Sequence, residues 1–313
     1  MRVMLIHNPG AGDSGQPAGE DLKRMVREAG HELAYQSCKV RGWEARLDEP
    51  ADLIAVAGGD GTVGFVARHL AGRDVPITVL PMGTANNIAR SLGFADAPID
   101  RLIAGWAHGR RARIDIGTAS GPWGRAAVVE GAGAGVFAWT MPQADSSRTL
   151  ASLDRADDKI VYALELLKER LRRCPAMRIE ASLDGRDLSG TYVMFEAMNM
   201  RYIGPNLYLA PESDPGDGRL DVVAVPEAER GRFSDYLESW QDGRMREPRL
   251  PSFRGRRLRL HWGGFEVHLD DRIWPAQNET PASDASAIEI ELRGEAVALL
   301  VPAPLRAARE SSA

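Results

Sequence analysis

Two hydrophobic rhythms divide this chain. In the first third, short apolar runs alternate with stretches whose apolar residues return every three or four positions. Val3–Ile6, Leu53–Ala57 and Ile77–Leu80 are the runs, with Glu32–Gln36 a weaker one. Uninterrupted runs of this length suit strands buried on both faces of a parallel sheet. Leu22, Met25, Val26 and Ala29 follow the first run at helical spacing, and Gly30 is placed to end that helix. Val63, Val66, Ala67 and Leu70 repeat the pattern, and Ile99, Leu102, Ile103 and Trp106 give a further helix. Strands alternating with helices build a parallel α/β sheet.

From Gly117 the rhythm changes to short strands with turn signals. Met177–Leu183 and Leu188–Glu196 flank Asp184-Gly185, a hairpin turn. Leu220–Val225, Leu258–Trp262, Phe265–Leu269, Ile288–Leu292 and Val297–Val301 continue the series. A long helix with the stripe Ile160, Leu164, Leu167 and Leu171 interrupts it, and Phe233–Trp240 is a shorter one. The expectation is a parallel α/β domain over 1–116 and a β-sandwich-like or barrel-like domain with helical inserts over 117–296.

Three glycine-bearing turns follow strands of the first domain: His7–Gly12, Gly58-Gly59-Asp60-Gly61-Thr62, and Pro81–Arg90. In a parallel sheet they share the carboxyl end, where ligands bind in open α/β folds. Glycines at a strand-to-helix junction offer backbone N–H groups with no Cβ in the way, a geometry suited to nucleotide phosphate. Asp60 among phosphates would be repulsive without a cation, and Mg²⁺ is the usual one. The alternative is a tight turn with Asp60 as a helix cap. Asn86 or Thr84 can cap the helix of the third turn.

Length and charge narrow the classes. The 313 residues suffice for two domains, and a net charge of −5 argues against a nucleic-acid surface spread over the whole protein. No apolar run reaches the roughly 18 residues of a spanning helix. The nearest, Ala126–Met141, is broken by Glu130 and three glycines. The N-terminal apolar stretch is too short for a signal peptide. Cys38 and Cys174 lack metal spacing and read as free thiols of a cytoplasmic protein.

Taken together, Gly58–Thr62 and, about twenty residues on, Gly83-Thr84-Ala85-Asn86-Asn87-Ile88-Ala89-Arg90 resemble the diacylglycerol kinase catalytic-domain family. The likeness is nearest to its soluble bacterial lipid kinases, relatives of sphingosine and ceramide kinases. Asn8-Pro9-x-x-Gly12 resembles the family's first turn, and Pro211–Val222 its Pro-x-Ala-x-x-x-Asp-Gly-x-Leu segment. The resemblance implies an ATP-binding domain, a β-rich lipid-binding domain, an active site in the cleft between them, and a last strand near 297–303 that returns to the first domain. It implies ATP contacts at Asn8, Gly58, Gly59, Asp60, Gly61, Thr62, Gly83, Thr84 and Asn86, with Ser37 matching a threonine after the second strand. It implies a structural Mg²⁺ at the Asp217 side chain and the carbonyls of Asp214 and Arg219. It places the catalytic base in a late Asp-Gly-Glu triplet, here Asp270-Asp271-Arg272, so that Asp270 and Asp60 are the catalytic candidates, with Asp271 an extra candidate for the base.

Three positions depart from the family pattern. Asn87 stands where an aspartate is frequent, and Asp13 stands where some members have a lysine. Arg272 replaces the glutamate of the late triplet and cannot accept a proton. It could instead bind phosphate. The expected reaction is transfer of the ATP γ-phosphoryl group to the hydroxyl of a diacylglycerol-like or sphingoid lipid. The protein would act in the cytoplasm, transiently at the inner membrane face, through an apolar lip. The exposed ends of Phe137 and Trp139 are candidates for that lip, with burial in the core the alternative. Two other readings stand beside it: a soluble-substrate kinase of the NAD-kinase type, and a non-catalytic nucleotide or lipid sensor. The acceptor lipid and the oligomeric state are not legible.

Overall fold

Buried apolar runs have no polar face to leave in water, so they stack as a parallel sheet covered on both sides. The structure is a computed structural model that describes residues 1–244, 248–275 and 287–303, without the side chains of 293–295. The chain forms two units. One comprises Met1–Ile114 and the end of the last strand from Val297, and the other comprises Asp115–Ala296.

The first unit opens with β1 (Arg2–His7), α1 (Gly19–Glu28), β2 (Glu32–Ser37), β3 (Leu53–Gly58) and α2 (Asp60–Leu70). It continues with β4 (Ile77–Pro81), α3 (Asn87–Ser91) and α4 (Ile99–Ala104). The strand order is last strand–β4–β3–β1–β2, and every pairing is parallel. All six residues of β3 are buried, and α1 and α2 cover the sheet through Leu22, Val26, Val63, Val66 and Leu70, each at most 1% exposed. Gly30, at φ +81°, follows α1 in the left-handed conformation that ends a helix. Because the strands run in parallel, the turns after β1, β3 and β4 emerge at one end of the sheet.

The second unit takes up the chain within β5 (Arg110–Gly121), followed by β6 (Gly124–Val128), β7 (Gly131–Gly135), α5 (Val136–Asp145), α6 (Arg148–Ser152) and α7 (Ala156–Arg173). Next come β8 (Met177–Leu183), β9 (Arg186–Asp187), β10 (Gly190–Met198), β11 (Tyr202–Ile203), β12 (Leu207–Tyr208) and β13 (Leu220–Pro226). The unit closes with α8 (Arg230–Gln241), β14 (Ser252–Gly255), β15 (Arg257–His261), β16 (Val267–Leu269), β17 (Arg272–Trp274) and β18 (Ala287–Val301).

Strand β10 is central: β13 lies on one side, β7 and β8 on the other, all antiparallel. Its alternating residues serve two cores. Phe195 and Ala197 join Ile179, Leu183, Leu258 and Ile290 between strands. Met194 and Met198 face Phe137, Leu164, Leu167, Leu171 and Phe233 on the helices. The α7 stripe expected from its spacing is thus the face that buries. Asp184 and Gly185, both at positive φ, form the expected hairpin turn between β8 and β9.

Two elements differ from the sequence pattern. The glycine-rich run Ala126–Met141 folds as the end of β6, then β7, then α5. Gly135 at φ +97° makes the strand-to-helix corner, and a Cβ there would stand 2.3 Å from the Val193 carbonyl oxygen. The two late strands expected at Ile288–Leu292 and Val297–Val301 are one strand, β18. Its first part pairs antiparallel with β15 and its end pairs parallel with β4, so a polar stretch that looks like a turn stays extended to serve both partners. Phe137 is 5% exposed, and Trp139 packs against the same core with the Arg170 guanidinium 3.3 Å from its ring centre. Phe137 is therefore a core residue, while Trp139 is partly buried against it.

Candidate functional site

The three glycine turns of the first unit interlock. Asn8 leaves β1 with its backbone N–H donating to the Ala57 carbonyl (2.9 Å) and its Nδ2 donating to Thr62 Oγ1 (3.1 Å). That ties the first turn to the second. The Asn8 Oδ1 accepts the Gly10 N–H at 3.1 Å, which closes the first turn on itself. Gly12 has φ +73°, and a Cβ there would lie 2.2 Å from the Met82 carbonyl oxygen, so the first turn also touches the third. A Cβ on Gly83 would lie 2.3 Å from the Cα of Gly59. Second and third turns therefore meet backbone to backbone, a contact that only glycines permit.

Asp60 completes the lock. Its Oδ2 accepts the Asn87 N–H and its Oδ1 the Ile88 N–H, each at 2.9 Å. These are donors of the first turn of α3, which lack helical partners. The expected cap, Asn86 or Thr84, does not act. Asn86 takes φ +53°, and its amide folds back to accept the Gly83 N–H and donate to the Gly83 carbonyl, both at 2.8 Å. Asp60 supplies the cap from another loop. Burial pushes its carboxyl above the usual range, against the backbone N–H groups of Ile88, Asn87, Asp60 and Asn86 that pull it down. Each of its oxygens is turned to a backbone donor of the third turn.

The other nucleotide candidates fall around this lock. Gly58 packs against Thr62, whose Cβ would stand 3.0 Å from a Gly58 Cβ. Gly61 is exposed and Thr84 half-buried. Ser37 ends β2 opposite His7, and its Oγ accepts the Lys39 N–H at 3.2 Å. Lys39 was not foreseen: its Nζ would lie 3.0 Å from a Cβ on Gly10. An ammonium thus stands beside the first turn although Asp13 occupies the place of the family's lysine. The signal in the sequence was a single basic residue just after β2.

In the second unit, Asp214, Asp217 and Arg219 form a turn. Asp217 Oδ1 accepts the Arg219 N–H at 3.0 Å, and its Oδ2 pairs with Arg254 on β14. The Asp214 Oδ1 accepts the Gly216 N–H (3.1 Å), and its carbonyl accepts the Asp217 N–H (3.3 Å). Asp115 ties the turn to β5: its Oδ2 accepts the Gly218 N–H at 2.7 Å, and Asn199 Nδ2 donates to its carbonyl at 2.9 Å. Asp115, Asn199 and Arg254 carried no sequence signal, because their partners are distant in the chain. The Arg254 guanidinium takes the carboxylate expected to face Mg²⁺. Among the described residues no group of three acidic, His or Cys side chains could hold a metal. The Arg254 pairing gives the Asp217 carboxylate a counter-charge within the second unit.

Asp270 and Asp271 are the two-residue turn between β16 and β17, where Leu269 pairs with Arg272. Asp270 takes φ +52°, and its carboxylate accepts the N–H groups of Val129 (3.0 Å), Glu130 (2.8 Å) and Gly131 (3.2 Å). Its oxygens are thus turned to the backbone of residues 129–131. Asp270 is an anchor in this geometry. Asp271 and Arg272 are exposed.

An α/β unit with three interlocked glycine turns is thus followed by a β-sandwich-like unit. Residues 2–119 match the diacylglycerol kinase catalytic domain, and residues 134–278 match the YegS C-terminal NAD kinase beta sandwich-like domain. The first unit thus carries a diacylglycerol kinase catalytic domain, and the chain is similar to proteins named diacylglycerol kinase and probable lipid kinase. It is 28% identical over 242 residues to the diacylglycerol kinase of Bacillus subtilis, covering 74% of this chain and 76% of the relative. It is 29% identical over 235 residues to a Pseudomonas aeruginosa protein named "Probable lipid kinase YegS-like", covering 72% of each. A solved diacylglycerol kinase structure from Bacillus anthracis superposes over 97% of both chains, with a TM-score of 0.66 at 19% identity, which shows a shared fold.

Proposed function

We propose that the protein transfers the γ-phosphoryl group of ATP to a hydroxyl of a lipid with long acyl or sphingoid chains. The observation that carries this reading is the interlock of three glycine turns at the carboxyl ends of β1, β3 and β4. Phosphoryl transfer depends on positioning and charge stabilisation more than on covalent chemistry from the protein. ATP, entering with its Mg²⁺ as substrate, is held by the backbone donors of the Gly59–Gly61 turn, with Gly58, Thr62, Gly83, Asn8, Ser37, Thr84 and Asn86 around them. Lys39 adds a positive charge beside the first turn. Asp60 serves by fixing the distance between the second and third turns.

Of the two acids in the late triplet, Asp271 is the one we assign to accept the hydroxyl proton, because Asp270 is engaged with residues 129–131. The second unit supplies the lipid site. The test is incubation with γ-labelled ATP, Mg²⁺ and a total lipid extract, followed by identification of the labelled product. A labelled phospholipid is expected. Label appearing only in NADP when NAD is supplied, with no lipid product, would overturn the reading.

A further inference from the structure

The second unit buries an ion pair that the phosphoryl-transfer chemistry does not use. Glu196 on β10 is 0% exposed and His268 on β16 is 2% exposed, and His268 Nε2 lies 2.7 Å from Glu196 Oε2. Between their strands runs β7, and its residue in register with both is Gly133. A Cβ on Gly133 would stand 1.9 Å from Glu196 Oε2, so the two side chains meet only because β7 has a glycine there. The other ring nitrogen, Nδ1, is 3.1 Å from the Asp270 carbonyl oxygen. A carbonyl can only accept, so Nδ1 carries a hydrogen. One further proton then lies between Nε2 and Oε2. Without it, two acceptors would face each other in an apolar interior.

We propose that Glu196 and His268 share one proton that holds the Asp270–Asp271 turn in place, making this pair a positioning element for the acceptor-side acid. Asp270 is gripped from two directions: His268 donates to its carbonyl, while its carboxylate and its N–H bind residues 129–131. Asp271, next in the chain, inherits that position. Few other charges bear on the pair. Glu196 responds to His268, and His268 to Glu196 and Asp270. The neighbours of Glu196 in β7 and β13 are Gly133 and Val223, the acid of α5, Asp145, responds to Asp271, and Arg272 on β17 is exposed.

Glu196 and the Asp270 contacts raise the His268 pKa above its ordinary 6.5, against burial, which lowers it. A raised histidine contributes its full stability below the unfolded pKa and loses it as pH rises through the folded one. The turn is therefore tight below pH 6.5 and loosens above it. The positioning role rests on the lipid-kinase reading; the shared proton does not.

The experiment is hydrogen exchange at the amides of Val129, Glu130 and Gly131 in the full chain from pH 6 to pH 9.5, corrected for intrinsic rates, in wild type and Glu196→Gln. Wild-type protection should fall about tenfold per pH unit between 6.5 and the folded His268 pKa, then level off. In Glu196→Gln the amide donates permanently to Nε2, and protection should stay flat. Flat wild-type protection, or a variant that tracks wild type, would overturn the shared proton. Should the variant fail to fold, nuclear magnetic resonance titration of the wild-type His268 ring decides, and a pKa at or below 6.5 overturns it. Lipid phosphorylation completes the test. A wild-type kcat that falls over the same alkaline window, with Glu196→Gln flat, supports positioning; equal pH profiles overturn it. A protein with the exchange behaviour but no transfer to any lipid would sink the kinase reading alone.

Discussion

Asp60 shows how one side chain can look catalytic and act as a fastener. A carboxylate in a glycine turn suggests a partner for metal and phosphate, yet its two oxygens hold the N–H groups of Asn87 and Ile88. Asp60→Ala should therefore cost about 1–2 kcal/mol through the lost cap on α3. Nucleotide affinity should fall with it as the second and third turns separate. Urea denaturation with a nucleotide titration checks both; unchanged stability with lost turnover would return Asp60 to a direct catalytic role. Asp270 follows the same logic. Asp270→Asn places an amide donor against three N–H groups and should lower the melting temperature, whereas Asp271→Asn should leave it unchanged and lower kcat by about 10²-fold or more. A stable Asp270→Asn variant with the larger loss of kcat would make Asp270 the base.

Secondary-structure elements were mostly legible, because period and punctuation act locally. The parallel strands of the first unit, α1, α2, α7 and the Asp184-Gly185 hairpin all follow from spacing and turn residues. What was not legible depends on partners far along the chain. No local signal says that Asp60 caps α3, or that Arg254 on β14 reaches Asp217 on the turn before β13. That second pair bears on a whole element. If Arg254 supplies the counter-charge, the Asp214–Arg219 turn needs no metal. A chelator should then leave the melting temperature unchanged, while Arg254→Ala should cost about 1 kcal/mol, the upper range for a partly exposed pair. Chelator-induced melting of the second unit, followed by hydrogen exchange, would restore the metal. Helix α5 escaped notice for a different reason: its apolar residues continue a glycine-rich strand, and only the corner at Gly135 separates the two.

At the scale of the molecule, two units each bury their own core, and the chemistry is divided between them. The first interlocks three glycine turns from segments up to eighty residues apart in sequence, which we propose cradle phosphate; the second carries the acidic turn and the lipid-side chemistry we propose. No described helix is long and apolar enough to cross a membrane. The fold class was open to sequence reading because it depends on pattern. The interlock was not, because Gly12, Gly59 and Gly83 reveal their purpose only where backbones meet. That interlock is the core of the account, and Gly83 tests it without touching a charge. A methyl group there would stand 2.3 Å from the Cα of Gly59 and force the two turns apart. The decisive measurement is transfer of label from γ-labelled ATP to lipid by wild type and Gly83→Ala, with both shown to be folded. The account predicts a labelled lipid from wild type and at least about a hundredfold less from the variant, the scale expected when reacting groups shift by about 1 Å. Equal transfer by the two proteins would contradict it.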